Sequence, residues 1–432
     1  MPKVGDVSKK IGFSMLRKLS SSETKPAPTT STYPWGRAGL AMILVLVVAG
    51  LRRPAVWLSA QFWAEDASVF FVQAESMGRM ALTVPHAGYH HLLMRLWAGL
   101  WVNGGAPIGW MPTLFMLGAV LAWMAVVLVV FAPSSRVRWP WAVVLILAVV
   151  SPSNELYFNL TNVQWVTALL WAFWWSAEDP RSKVGLGAQL VGMAIVGLTG
   201  VFAMLATPLM AGRALVRRTW SSFAAGLVCG LTAWVQWGVV RASPGDGSST
   251  TSLDLGGAVL VLGKRVWGTL LIPIGSGGAV MSWVGTGLAM LLLVGTIELA
   301  RREAWGRRLL GWWGFAFLVM GATIFRFQDN LRPLNYLFDG ERYFFVPQAL
   351  VLAGVIQVAA QSRRWVRVGA FCVLGMALAM AITRYRLPAL PDNDWPTWAA
   401  RIERGEEVKA IPITPNGYDF VYPGNEARRA SE

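Results

Sequence analysis

Residues 108–132 read IGWMPTLFMLGAVLAWMAVVLVVFA and contain no charged side chain. A helix that crosses a bilayer needs about 17–25 such residues, so this run sets the class of the chain. Working outward, apolar runs recur at about 36–52, 139–152, 163–177, 184–199, 200–212, 219–241, 280–300, 308–325, 343–361 and 366–383. Together with the quoted run they make about eleven spans. Composition agrees: 55% of the 432 residues are hydrophobic, 14% are charged, and mean hydropathy is +0.48. A soluble domain carries about 25% charged residues. The 24 Trp and 44 Gly also suit membrane segments and their interfaces. The expected fold class is all-α, a polytopic transmembrane helix bundle. A soluble globular enzyme, a secreted disulfide scaffold and a disordered chain are excluded. Cys229 and Cys372 lie inside apolar runs, with no spacing that suits a disulfide or a metal.

The net charge of +15 would hint at nucleic acid in a soluble protein, but here the cations fall in short clusters between spans. Those clusters are Arg136 and Arg138; Arg181 and Lys183; Arg213, Arg217 and Arg218; Arg301, Arg302, Arg307 and Arg308; and Arg363, Arg364 and Arg367. They occupy alternate loops, and the loops near 153–162 and 199 have none. Lys and Arg are retained on the cytoplasmic side, which assigns these five loops to the cytoplasm. The protein is thus expected in the plasma (inner) membrane, with its N-terminus cytoplasmic and its C-terminus extracytoplasmic. Residues 1–35 read as a flexible basic tail, 36–385 as the membrane domain and 386–432 as a short outer tail. The first outer loop, 53–107, holds the apolar segment 88–103. Counting that segment as a span would invert every later loop, so it reads as an interfacial helix, as does 256–275 with Lys264 and Arg265.

The unusual polar residues gather at the outer ends of spans. Trp63-Ala64-Glu65-Asp66 sets two carboxylates in aromatic sequence. Partial burial there would raise a carboxyl pKa and ready it for proton transfer, although a first-turn pair at a helix start is the simpler use. Pro85-His86-Ala87-Gly88-Tyr89-His90-His91 holds all three histidines of the chain, with Arg95 one turn beyond His91. A face of His and Arg beside the membrane suits an anionic headgroup. A metal site and a merely structural cluster are the rivals. Ser151 to Trp165 gathers Glu155, Tyr157, Asn159, Thr161, Asn162, Gln164 and Trp165, donors and acceptors that suit a polyhydroxylated ligand or simply cap a helix. Phe338 to Pro347 opens a span with Arg342 and Tyr343. Arg342 suits a phosphate in two-point contact, or an ion pair with Glu341, Asp339 or Glu155. In the tail, Trp395, Trp398 and Ile402 read as a short helix. Ala410 to Tyr418 reads as an extended segment with a Pro-rich turn, packed on the outer face of the bundle.

These stretches, in this order, resemble the GT-C glycosyltransferases. The likeness is carried by Trp63 to Asp66, the Pro-His-x-x-Tyr stretch from Pro85, Asn159 to Trp165, Gly340 to Pro347 and Ile411 to Gly417. It spans residues 36 to about 420, and within the superfamily it is to a bacterial Trp-Ala-Glu-Asp type. The resemblance implies a multi-pass enzyme of the cell envelope. It would move a hexosyl or pentosyl unit from a polyprenyl-phosphate donor to an extracytoplasmic glycan or glycolipid, with inversion. It implies Asp66 or Glu65 as general base, Asp66 being preferred. Arg342 with His90, His91 or Arg95 would hold the donor phosphate. Asn159, Asn162, Gln164, Trp165, Tyr89, Glu155 and Tyr343 would contact sugar or acceptor. No cofactor is expected; a metal-dependent relative would use Glu65, Asp66 and the histidines. The expected partners are the lipid-linked donor, the glycan acceptor and the bilayer, with no nucleic acid. The alternatives are a lipid-linked sugar flippase or transporter, and an envelope polysaccharide polymerase or acyltransferase. Crowding of polar residues on one side disfavours the flippase.

Overall fold

The computed structural model describes residues 33–150, 155–243, 254–273, 278–336 and 340–422. The basic tail up to residue 32, Ser151 to Asn154, and Phe338 with Asp339 lie outside these residues.

Helices stand at all eleven places where apolar runs occur: Trp35–Arg52, Met111–Phe131, Pro140–Val149, Val163–Ser176, Lys183–Gly197, Phe202–Arg217, Trp220–Ala242, Gly278–Arg302, Ala304–Arg326, Arg342–Gln361 and Arg364–Thr383. Their starts carry ordinary signals. Pro112 and Pro140 occupy first turns, where the missing N–H costs nothing. Ser182 and Thr219 cap the next turn by accepting from Gly185 N and Ser222 N.

The count of full-length spans is smaller than the count of helices. Among the described residues, seven helices are long and apolar enough to cross a membrane. Pro140–Val149, Val163–Ser176, Lys183–Gly197 and Phe202–Arg217 have 10, 14, 15 and 16 residues. At 1.5 Å per residue these rise about 15–24 Å, short of a hydrocarbon core about 30 Å thick. Burial explains how the shortness of one of them is tolerated. Every residue of Val163–Ser176 except Trp175 is buried, so protein rather than lipid surrounds it. Arg342–Gln361 is buried without a break from Phe344 to Ala359. These two form the centre. Arg364–Thr383, by contrast, buries only Ala370 and Ala377 and exposes Phe371, Met376 and Ile382. Trp220–Ala242 exposes Leu231, Trp234 and Trp237, and Gly278–Arg302 exposes Met290 and Leu291. An apolar perimeter around an apolar centre is what lipid, unlike water, permits.

Hydrogen bonds sort the loops into two ends. At one end the Tyr33 hydroxyl donates to Leu128 O (2.7 Å) and Glu178 N donates to Ser134 O (2.7 Å). Gln357 there clasps Arg138 through both backbone groups (2.9 Å each). The cationic loops gather at this end. At the other end Arg52 donates to Val149 O (3.1 Å), Leu387 N to Arg52 O (2.9 Å), Arg384 to Thr269 O (2.7 Å) and Leu92 N to Leu198 O (2.9 Å). All the candidate residues lie at this second end.

The two segments read as interfacial also lie there. Leu92–Val102 is a helix that buries Met94, Arg95 and Ala98 and exposes Leu96 and Leu100. The 255–271 segment begins as the exposed end of helix Leu255–Leu262, continues through the wider turn Gly263–Gly268 and ends buried at Thr269–Leu271. The all-α expectation needs one amendment. After helix Trp395–Glu403, strands β1 (Val408–Ile413) and β2 (Tyr418–Tyr422) pair antiparallel, with Ile411 opposite Phe420 and Ile413 opposite Tyr418. The Pro-rich turn marks the hairpin loop, and the inward residues Ile411, Ile413, Phe420 and Tyr422 join a second apolar core with Phe62, Phe71 and Phe115.

Asp179 locks the cationic end. It accepts from Arg213 (2.6 Å), Arg217 (3.3 Å), Ser222 Oγ (2.9 Å) and the Thr219 hydroxyl. Arg213 is buried and also donates to Trp174 O and Ala177 O. Removing one partner of a buried ion pair costs about 3–5 kcal/mol. Asp179→Ala is expected near the lower figure, because two carbonyls still receive Arg213, and thermal unfolding in detergent measures it. A midpoint matching the parent would show that the lock bears no load.

Candidate functional site

The Trp63–Asp66 turn is held from the opposite end of the sequence. Thr414 N donates to Phe62 O (3.0 Å) and Ala64 N donates to Thr414 O (2.5 Å), a parallel bridge on either side of Trp63. Ala64 takes φ +29°, a conformation that costs a residue with a Cβ and persists only where its surroundings enforce it. The chain then enters a wide helical turn, Asp66–Phe71.

Asp66 is 2% exposed. Its Oδ1 accepts from Thr161 N (2.7 Å) and the Thr161 hydroxyl (2.6 Å), and its Oδ2 accepts from Leu160 N (3.2 Å). Burial pushes its pKa up to about 7, opposed by the Thr161 and Leu160 hydrogen bonds, with the Glu65 charge adding to the rise. Both oxygens are therefore engaged in fastening the first outer loop to the start of the central helix. Asp66, the carboxylate preferred from sequence as the base, has no oxygen turned to a ligand. Glu65 differs. It is half-buried, and its Oε2 has no hydrogen-bond partner among the described residues. Its charge bears on His86, Tyr89 and Arg342.

The asparagines expected to meet a sugar build the loop instead. Asn159 Nδ2 and Asn162 Nδ2 both donate to Glu155 O (2.5 and 2.7 Å), and Asn159 Oδ1 accepts from Asn162 N (3.0 Å). Both are buried. This is the capping use of Asn at a helix start. Gln164 and Trp165, one turn on, do reach the candidate site. Gln164 shares a side-chain hydrogen bond with Tyr89 and presses against Gly200, whose φ of +85° and missing Cβ the contact requires. Trp165 packs edge-on against Tyr343 at 5.1 Å and Phe202 at 5.0 Å.

The histidine stretch divides in the same way. His86 and Tyr89 exchange backbone hydrogen bonds (3.0 and 3.2 Å) around Ala87 and Gly88, both at positive φ. That tight turn aims Tyr89 at Gln164. Gln236 grips the backbone of His90, accepting from its N (2.8 Å) and donating to its O (3.1 Å). His91 is buried, and its Nε2 lies 3.2 Å from His86 O. Burial, with His86, Arg95 and His90 nearby, pushes its pKa down to about 3, so its ring is neutral and unsuited to hold a phosphate. Arg95 remains a cation: burial lowers it only to about 10. Its guanidinium lies 5.6 Å from the Phe70 ring, and none of its three nitrogens has a hydrogen-bond partner among the described residues.

Arg342 begins the other central helix. Its Nη1 stands 3.9 Å from Glu155 Oε2, and its guanidinium lies 5.3 Å from the Tyr343 ring centroid. The residues brought together are Glu65, His86, Tyr89, Glu155, Gln164, Trp165, Arg342 and Tyr343. Asp66, Asn159, Asn162 and the backbone of His90 form the frame around them. Among the described residues, no three His, Cys, Asp or Glu side chains stand together to hold a metal ion. Of the two fasteners, Thr161 is expected from sequence only as a sugar contact or a helix cap, and Thr414 carries no expected role. The side-chain partnership with Asp66 crosses 95 residues, and no local pattern announces it. Comparison with protein-family models, curated proteins and solved structures found no match.

Folding raises Asp66 from about 3.9, the value of a free aspartate, to about 7 and so favours its protonated form. The stability it contributes is complete below about pH 4 and is lost as pH rises toward about 7. Unfolding midpoints in detergent are expected to fall over that window. Asp66→Asn, which does not titrate, is expected to flatten the slope, while losing the Leu160 hydrogen bond at every pH. A slope equal to the parent's would remove Asp66 as the buried titrating group.

Proposed function

We propose that the protein is an integral membrane glycosyltransferase that moves a sugar from a polyprenyl-phosphate donor to an extracytoplasmic glycan or glycolipid. The observation that carries this reading is that a carboxylate with an oxygen lacking a hydrogen-bond partner among the described residues, Glu65, bears electrostatically on a guanidinium, Arg342, at the end where two buried helices begin. Tyr89, Gln164, Trp165 and Tyr343 surround them with hydroxyl, amide and aromatic surfaces suited to a sugar. The retention of Lys and Arg on the cytoplasmic side assigns the cationic loops inward, so the candidate site opens outward.

The chemistry follows from charge. Glu65 takes the proton of the acceptor hydroxyl as its oxygen attacks the anomeric carbon. The bond from that carbon to the donor phosphate breaks, and the phosphate oxygen leaves with one further negative charge. Arg342 favours that state over the ground state, which is how a fixed cation lowers a barrier. Its 3.9 Å separation from Glu155 is an ion pair too long for a hydrogen bond, and a guanidinium suits a phosphate in two-point contact. Arg95 is a second cation on the His86 side. One base and one displacement give inversion. Glu65 replaces Asp66 as the proposed base because both oxygens of Asp66 are hydrogen-bonded to the loop.

Incubating membranes with radiolabelled polyprenyl-phospho-sugars, and following label into glycan, tests the reading. The parent is expected to transfer one of the sugars, and Glu65→Gln to transfer none while unfolding at the parent's temperature. Asp66→Asn is expected to lose stability yet turn over per folded molecule. Arg342→Ala is expected to weaken donor use by about 2–5 kcal/mol, the scale for truncating a buried charge partner. Label transferred equally by Glu65→Gln would reject the base; no transfer from any donor by the parent would reject the reaction.

A further inference from the structure

A cleft of about 680 Å³ opens at the same end of the bundle, between the start of helix Leu255–Leu262, the start of Gly278–Arg302 and the segment 328–332. It falls within the roughly 300–1,000 Å³ of small-molecule sites. Its polar wall holds Asp254, Lys264, Gln328, Asp329, Asn330 and Arg332, and its floor is aliphatic, from Leu260 and Val261. Two carboxylates balance two cations, so the cleft has no surplus of positive charge to draw an anion. What remains is a mixed set of donors and acceptors over an apolar strip, the complement of a neutral polyol with hydroxyls at its rim and C–H groups on its faces. The Gln328 and Arg332 side chains make no hydrogen bond among the described residues.

Chain neighbours of two cleft residues touch the helix that begins at Arg342. Phe327, which precedes Gln328, packs edge-on against Tyr343 at 5.2 Å. Arg265, which follows Lys264, places its guanidinium 4.6 Å from the Phe344 ring centroid. Tyr343 and Phe344 are the residues next to Arg342 on its helix.

We propose that this cleft is a carbohydrate subsite that binds sugar units of the acceptor beyond the one that receives the transfer. The proposal rests on the glycosyltransferase reading for its role, and on the cleft alone for its ligand. An oligosaccharide acceptor occupies both places, and a monosaccharide reaches only the first.

The test has two arms. In the first, fluorescent neutral trisaccharides of gluco, galacto, manno and arabino configuration are titrated against purified full-length protein in detergent. One is expected to bind, and to bind the double variant Gln328→Ala/Arg332→Ala at least tenfold more weakly. No binding, or binding indifferent to the double variant, overturns the subsite. Inorganic phosphate competing with the trisaccharide also overturns it, since the cleft would then be an anion site. In the second arm, the Michaelis constant for a trisaccharide acceptor is expected to rise about tenfold in the double variant, with that for the donor and for a monosaccharide acceptor unchanged. Trisaccharide bound in the cleft without transfer by the parent rejects the enzymatic reading and leaves the subsite standing. Transfer with an unaltered acceptor constant in the double variant does the reverse.

Discussion

Three hydrogen bonds from Leu160 and Thr161 onto the Asp66 carboxylate join the first outer loop to the start of the central helix. A lone carboxylate buried in apolar surroundings is costly. Here two backbone N–H groups and the Thr161 hydroxyl, just ahead of helix Val163–Ser176, offset part of that cost, and burial still raises the carboxyl. The helix dipole adds to the match, since its N-terminus favours negative charge. The consequence is positional. With Asp66 fixed, Glu65 stands one residue away beside the same helix start, near Tyr89 and Arg342. The adjacent pair thus divides its work: one carboxylate is spent on the frame, and its neighbour keeps an oxygen without a partner.

The second central helix makes the same end polar for the same reason. Val163–Ser176 and Arg342–Gln361 are the most buried helices, and both begin at the end where the candidate residues lie. Two N-termini leave N–H groups and partial positive charge there. Polar residues placed mid-span would face hydrocarbon or need partners of their own. At a helix start they meet unpaired backbone and the bilayer boundary together. For a donor whose tail lies in lipid and whose sugar lies outside, that boundary is where the bond to be broken would sit.

Much of this was legible in the sequence because it is periodic or compositional. Apolar runs located every long helix, and the cationic clusters separated the two ends, since both signals are local and cumulative. The Pro-rich segment announced its turn by the same logic. Legibility ended where roles depend on distant partners. Glu65 and Asp66 are adjacent acids, and only Thr161 distinguishes them. Asn159 and Asn162 offer the same groups to a sugar or to Glu155 O, and the choice depends on a loop conformation that no spacing encodes. His90 and His91 looked like cations beside a headgroup, yet Gln236 holds the backbone of the first and burial neutralises the second. The short central helix Val163–Ser176 was read as a span because hydropathy cannot tell a lipid neighbour from a protein one.

The C-terminal tail shows why this arrangement needs both ends of the chain. Phe62 lies between Phe71, Phe115, Trp395 and Phe420, with ring centroids 4.7–6.5 Å apart. Two of those four rings belong to the tail. The Thr414 bridge then fixes the backbone two residues beyond Phe62, at Ala64, in a conformation that its Cβ disfavours. Strain of this kind persists only when several contacts over-determine it, and here an aromatic box and two hydrogen bonds do so. Glu65 follows directly. Its direction is therefore set by residues some 350 positions later, and packing of the hairpin would be coupled to the aim of the carboxylate beneath it. A C-terminal tail too small to fold alone can still act as the clamp that completes the candidate site.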